Sequence, residues 1–161
     1  MKKMGKVLLA VMMVCCCATF SLAKEGDKSV EAGFAIANKA NKDDKVPFGG
    51  SGGFGYEILQ SLQVRADIAY LQKSSGDVST YRLPIDLGLR YLHQASEKVT
   101  LIGQGGLEFS MNKDDNQIGL SLGGGVEYAV SPQAGIISTL VFHFVPGGYV
   151  SWNTGVAFHF E

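Results

Sequence analysis

His143 and His159 are the side chains best equipped for ligand or acid–base chemistry in this chain, because imidazole binds metals and titrates near neutrality. A metal site needs several such donors converging on one point. Both histidines lie on segments that read as strands, on the inward parity but at different depths. His143 falls near one end and His159 near the other, so this pair alone does not make a metal site. His93 falls in a connection and reads as solvated. The stretch Gly50-Ser51-Gly52-Gly53-Phe54-Gly55 fits G-x-G-x-x-G. It leads into the strand-like Tyr56-Glu57-Ile58 instead of opening a helix, which removes the phosphate-cradling reading. No catalytic residue, metal or cofactor is expected.

The elements that position these groups follow from a period of two. Leu62, Val64, Ala66, Ile68 and Tyr70 share one parity, as do Tyr81, Leu83, Ile85, Leu87, Leu89 and Tyr91. The other parity carries Gln63, Arg65 and Asp67, then Arg82, Asp86 and Arg90. Side chains on a strand alternate faces, so each stretch has one apolar and one charged face. The same pattern predicts eight strands near 29–38, 50–58, 61–72, 79–92, 98–110, 117–130, 133–145 and 148–160. The expected fold is all-β, an eight-stranded antiparallel up-and-down transmembrane β-barrel, since an even count returns both termini to one side. Polar connections follow strands one, three and five, at 38–49, 73–78 and 111–116. Tight ones follow strands two, four and six, and 145–148 is short.

Placed on these strands, the aromatics sort by depth. Tyr70, Tyr81, Phe109, Phe142, Phe144 and Trp152 fall near one set of ends. Tyr56, Tyr91, Tyr128, Phe158 and Phe160 fall near the other, with aliphatic residues and glycine between. Two aromatic girdles around an aliphatic band suit a bilayer-spanning surface, because amphipathic rings prefer the interface. A soluble barrel has no reason to sort aromatics this way. The opposite parity then faces the lumen, with Glu31, Glu57, Arg65, Asp67, Arg82, Asp86, Arg90, Gln104, Glu108, Glu127, His143 and His159. Eight strands leave room only for side chains, so these residues are expected to form a packed polar plug with more carboxylates than arginines. Pro84 sits mid-strand and predicts a bulge or a water. Ser138 and Thr154 break the apolar parity, and Ile102 and Val141 break the polar one.

The N-terminus reads as a secretory signal. Lys2, Lys3 and Lys6 precede an apolar run over 7–20, and Ser21-Leu22-Ala23 offers a cleavage site before Lys24. The expected domains are thus 1–23, a cleaved signal peptide, and 24–161, the barrel. Cleavage removes all three cysteines, which excludes disulfide and thiolate chemistry from the mature chain. Removing 23 of 161 residues leaves 138, and basic residues fall from 14 to 11 against 15 acidic, a net charge of −4. Nothing basic enough remains to bind nucleic acid through its phosphates.

The chain resembles the small outer-membrane β-barrel family, the eight-stranded group that includes the membrane domain of OmpA and the OmpX-like proteins. The resemblance rests on Gly55-Tyr56-Glu57 followed by a tight turn, on the strand endings Leu89-Arg90-Tyr91 and Val126-Glu127-Tyr128, and on Gly155-Val156-Ala157-Phe158-His159-Phe160. It implies an outer-membrane location, and Phe158 and Phe160 as part of a C-terminal signal to the barrel-assembly machinery. Here Glu161 follows the last aromatic. The partners implied are outer-membrane lipids and lipopolysaccharide, with a monomeric barrel. Asp43-Asp44 and Asp114-Asp115, in the polar connections, could bridge a divalent cation to lipopolysaccharide phosphates, but read first as solvated loop charge. The expected role is structural or surface-interactive. A narrow porin-like channel is the alternative, followed by a lipid A-modifying enzyme and then a soluble ligand-binding barrel. The enzyme reading is weak, because a serine two positions from His143 is absent and Val145 stands there.

Overall fold

A computed structural model describes residues 26–39, 46–59, 61–75, 78–112 and 115–160. The proposed signal segment, Asp43, Asp44 and Asp114 lie outside the described residues. Eight strands follow one another: β1 Lys28–Lys39, β2 Phe48–Leu59, β3 Leu62–Ser75, β4 Val78–Gln94, β5 Val99–Asn112, β6 Asn116–Ser131, β7 Ala134–Phe144 and β8 Tyr149–Phe160. Each pairs antiparallel with its sequence neighbours, and β1 pairs with β8 to close the barrel. Closure leaves no unpaired sheet edge.

The period of two becomes a two-sided wall. Along β7, Gly135, Ile137, Thr139, Val141 and His143 are buried, while Ile136, Leu140, Phe142 and Phe144 are exposed. Across the barrel the exposed face is apolar, from Phe34, Ile36 and Phe48 on β1 and β2 to Trp152, Phe158 and Phe160 on β8. This is the reverse of a soluble protein, in which large apolar side chains turn inward. Tyr56, Tyr91, Tyr128, Phe158 and Phe160 sit near the rim that holds both ends of the described barrel. Tyr70, Tyr81, Phe109, Phe142, Phe144 and Trp152 sit toward the other, where Tyr70 and Tyr81 stack at 6.2 Å.

Several local expectations change. Pro84 makes no bulge. The β3–β4 ladder pairs Ile68 with Ile85 and resumes at Leu71 with Arg82 in unshifted register, while Pro84 still faces Ser110 on β5. The ladder skips Ala69 and Tyr70 opposite Pro84 and Leu83, and the regular pairing on both sides holds the register. The connections at the far rim are shorter than their polarity suggests. β3 and β4 extend to Ser75 and Val78, and β5 and β6 to Asn112 and Asn116, so polar residues there prolong the hairpins instead of forming loops. Only 40–47 is long. His93 belongs to β4 and not to the turn after it. At 145–148, Gly148 N donates to Val145 O at 2.8 Å and Gly147 has φ 76°, the backbone of a type II turn with Pro146 preceding the glycine.

Two glycine pairs let the wall coil. Gly33 faces Gly155 across β1–β8, and Gly88 faces Gly106 across β4–β5. A Cβ on any of the four would run into a backbone carbonyl of the neighbouring strand. Such close approach is open only to glycine.

The polar residues on the outward parity are satisfied locally. Trp152 Nε1 donates to Ser138 Oγ at 2.7 Å, and Thr154 Oγ1 donates to Ile137 O at 3.2 Å. Neither hydroxyl is left bare in an apolar surround, where an unmade hydrogen bond is costly.

Candidate functional site

The chemistry of this barrel lies in its lumen, and the lumen is layered. Toward the terminal rim, His159 Nε2 meets Glu127 Oε1 at 2.6 Å, and Gln63 Nε2 donates to Ser29 Oγ at 3.3 Å. Glu57 sits half-buried on the adjacent inward parity.

The next layer is divided. On its β1–β4 side, Glu31 lies between two guanidinium groups. Arg65 donates to both of its oxygens, Nη1 to Oε1 at 3.2 Å and Nη2 to Oε2 at 3.1 Å. Arg90 pairs with Glu31 Oε1 through Nη1 and donates from Nε and Nη2 to Gln104 Oε1 at 3.2 and 2.8 Å. Arg65 also forks onto Asp67, two residues along the same strand. Arg65 and Arg90 are 6% and 2% exposed, so these are desolvated, charge-assisted contacts. Arg65 bridges two carboxylates, Glu31 and Asp67, and the Glu31 carboxylate in turn gathers two arginines. On the β5–β8 side of this layer, Ile102, Ile137 and Ala157 form an apolar cluster with Leu92 packed against it. The parity-breaking Ile102 therefore packs against other lumen side chains.

Further from the terminal rim the guanidinium groups give way to a phenol and an imidazole. Glu108, with 0% exposure, accepts from Tyr149 Oη at 2.8 Å and contacts His143 Nδ1 at 2.7 Å. His143 Nε2 contacts Ser151 Oγ at 2.8 Å, and its ring stacks on Tyr149 at 4.0 Å. Asp86 stands beside Glu108, its partner in the β4–β5 register. Above this layer Ala35, Ala37, Leu71, Val145 and Tyr149 form a second apolar cluster. Arg82 lies 4.5 Å over the Tyr149 ring and donates from Nε to Asn112 Oδ1 at 3.1 Å.

Among the described residues, two small spaces lie inside. One, of about 60 Å³, touches Glu31, Arg65, Asp86, His143 and Ser151, enough for a few waters. The other, of about 160 Å³, lies toward the rim opposite the termini, beside Asn38, Pro47, Thr80 and Arg82. Leu71 and Tyr149 line both, so these two side chains stand between them.

The residues selected from sequence thus fall into separate groups. Glu31, Arg65, Asp67 and Arg90 are joined, as are Glu108 and His143, while Glu127 pairs with His159 and Arg82 caps Tyr149. The two histidines do not meet. Sequence reasoning missed Leu71, Tyr149 and Ser151. The alternation of β8 was the available signal: with Trp152 outward, Tyr149 and Ser151 turn inward, and the register sets Tyr149 opposite His143.

Solved structures with this fold come from several outer membranes. Ail, the attachment invasion locus protein of Yersinia pestis, is 17% identical with a TM-score of 0.65, covering 85% of this chain and 100% of that one. Neisserial surface protein A is 16% identical at TM-score 0.62, covering 82% and 95%. The N-terminal β-barrel domain of Pseudomonas aeruginosa OprF is 18% identical at 0.57, covering 84% and 100%. No curated protein sequence matches the chain. The family model for the outer membrane protein β-barrel domain matches residues 7–138. With its outward apolar wall and closed eight-strand ladder, this chain belongs to that outer membrane β-barrel family.

Proposed function

We propose that this protein is a monomeric barrel whose side-chain plug keeps the lumen closed, serving the outer membrane as a structural or surface-interacting element without enzymatic activity. The observation that carries this reading is the pair of walls, Leu71 and Tyr149, between the two lumen spaces. Both side chains are nearly fully buried, and the guanidinium of Arg82 rests on one of them. Beneath them, Glu31, Arg65, Asp67, Arg90 and Gln104 serve as a stabilising ionic network. The girdle aromatics anchor the wall at the lipid interfaces, against membrane lipid and lipopolysaccharide. Export uses the N-terminal signal with cleavage after Ala23, and Phe158 and Phe160 present the assembly signal on β8.

Planar-bilayer recording of the purified barrel tests closure. The expected trace is silent, and a steady ohmic conductance overturns the plug. A second reading, a narrow ion or solute path, is favoured by two lumen spaces that share Leu71 and Tyr149 in their linings. It predicts conductance in the native chain, whereas the plug predicts conductance only after truncation of the wall, as in Tyr149→Ala. Intact mass of the membrane-extracted protein checks the cleavage point.

A further inference from the structure

We propose that Asp86, Glu108 and His143 form a divalent transition-metal site inside the lumen, with zinc the ion best suited to it. One carboxylate oxygen from each acid and one imidazole nitrogen lie within 4.8 Å of one another. They come from β4, β5 and β7; Asp86 and Glu108 are partners in the β4–β5 register, and the curvature of the barrel brings His143 to them. The proposal does not depend on whether the lumen conducts.

Four observations point to an ion at this place. First, Asp86 Oδ1 is one of the four buried side-chain atoms without a hydrogen-bond partner among the described residues, and two others, Ser110 Oγ and Gln117 Oε1, belong to residues that face each other on β5 and β6. Ser110 is 1% exposed and lies one inward step along β5 from Glu108, facing Gln117 across β5–β6. Buried polar atoms normally have partners, and an orphan calls for an unseen one. Second, two carboxylates share the site without an arginine bound to either. Arg65 and Arg90 are committed to Glu31, and Arg82 lies over Tyr149. A divalent ion with two carboxylates and a neutral imidazole sums to zero charge, so a bound ion would leave no net charge in a desolvated lumen.

Third, the supporting contacts are those a ligand set needs. Ser151 holds the far nitrogen of His143 at 2.8 Å, and Tyr149 holds the far oxygen of Glu108 at 2.8 Å. Such partners fix ring and carboxylate orientation around a metal. Fourth, Asp86 and His143 border the 60 Å³ space, which can supply a water as the remaining ligand.

The donor set selects the ion. Imidazole with carboxylates suits zinc and its neighbours, while magnesium and calcium favour all-oxygen sites. Zinc bonds of about 2.1 Å place tetrahedral ligand atoms about 3.4 Å apart. His143 Nδ1 and Glu108 Oε2, now 2.7 Å apart, would separate by about 0.7 Å. Binding replaces any proton shared between them, so uptake releases protons and weakens in acid.

To test the site, the full chain is refolded from urea into detergent micelles with Zn²⁺ or Mg²⁺ and then freed of unbound ion. Metal content is measured by plasma mass spectrometry, and folding by the mobility of unboiled samples on gels. The expected result is one zinc per folded chain, no retained magnesium, and at least tenfold weaker retention in Glu108→Gln and His143→Ala. Ser151→Ala, which removes only the support, should weaken binding about 10- to 100-fold. If His143→Ala fails to fold, Asp86→Asn, which keeps side-chain size, carries the test. Folded native protein that retains no zinc overturns the site. So does zinc retention unchanged in both Asp86→Asn and Glu108→Gln.

Discussion

Two glutamates in one lumen are stabilised by opposite means. Glu31 lies between two guanidinium groups. Glu108 is held by a phenol and an imidazole, with a second carboxylate beside it. The first is a compensated ionic cluster with Asp67 as its fourth member, in which charge-assisted bonds offset the desolvation of four charged groups. The second leaves hydrogen-bonding capacity unmet at Asp86 Oδ1. The difference follows from which cations reach each layer. Arg65 and Arg90 both point into the lower layer, while Arg82 spends its charge over the Tyr149 ring and on Asn112. A rigid structural cluster and a site with spare capacity therefore sit a few residues apart along the same strands.

Removing the anion at the centre of the compensated cluster gives the sharpest break in this comparison. Glu31→Ala leaves Arg90 without a charged partner among the described residues. Stranding a buried charge in this way costs about 3–5 kcal/mol, read as a lowered midpoint of urea unfolding in micelles. Glu108→Gln should cost less in metal-free buffer, about 1–3 kcal/mol, because the amide keeps an acceptor for Tyr149 and the lost partner is not a fixed charge. Equal losses at the two positions would erase the distinction between the layers. The smallest effect lies on the outer wall. Trp152→Phe keeps the aromatic girdle and removes the bond to Ser138, for about 1 kcal/mol in the same unfolding measurement.

Much of the wall was legible because strand side chains repeat every two residues. Tyr70, Tyr91 and Trp152 could be placed on the outward face, and Arg65, Arg90 and His143 on the inward one, without knowing any partner. Pro84 shows where local rules lose to context: a residue that disfavours a ladder was absorbed by regular pairing on either side. The polar tips of β3–β4 and β5–β6 read as loops because composition alone does not separate a solvated hairpin from a solvated loop.

What the sequence by itself determined is therefore the parity of each strand, the export signal as an expectation, and the inventory of charges that must share a narrow interior. Which of those charges meet was decided only by the tertiary structure. Glu108 and His143 are 35 residues apart, and Glu31 and Arg90 are 59 apart. The stagger of the closed ladder sets their relative height, and it accumulates over every strand pair around the barrel. A period of two can say that a side chain points inward. It holds no information about the level at which that side chain meets the opposite wall.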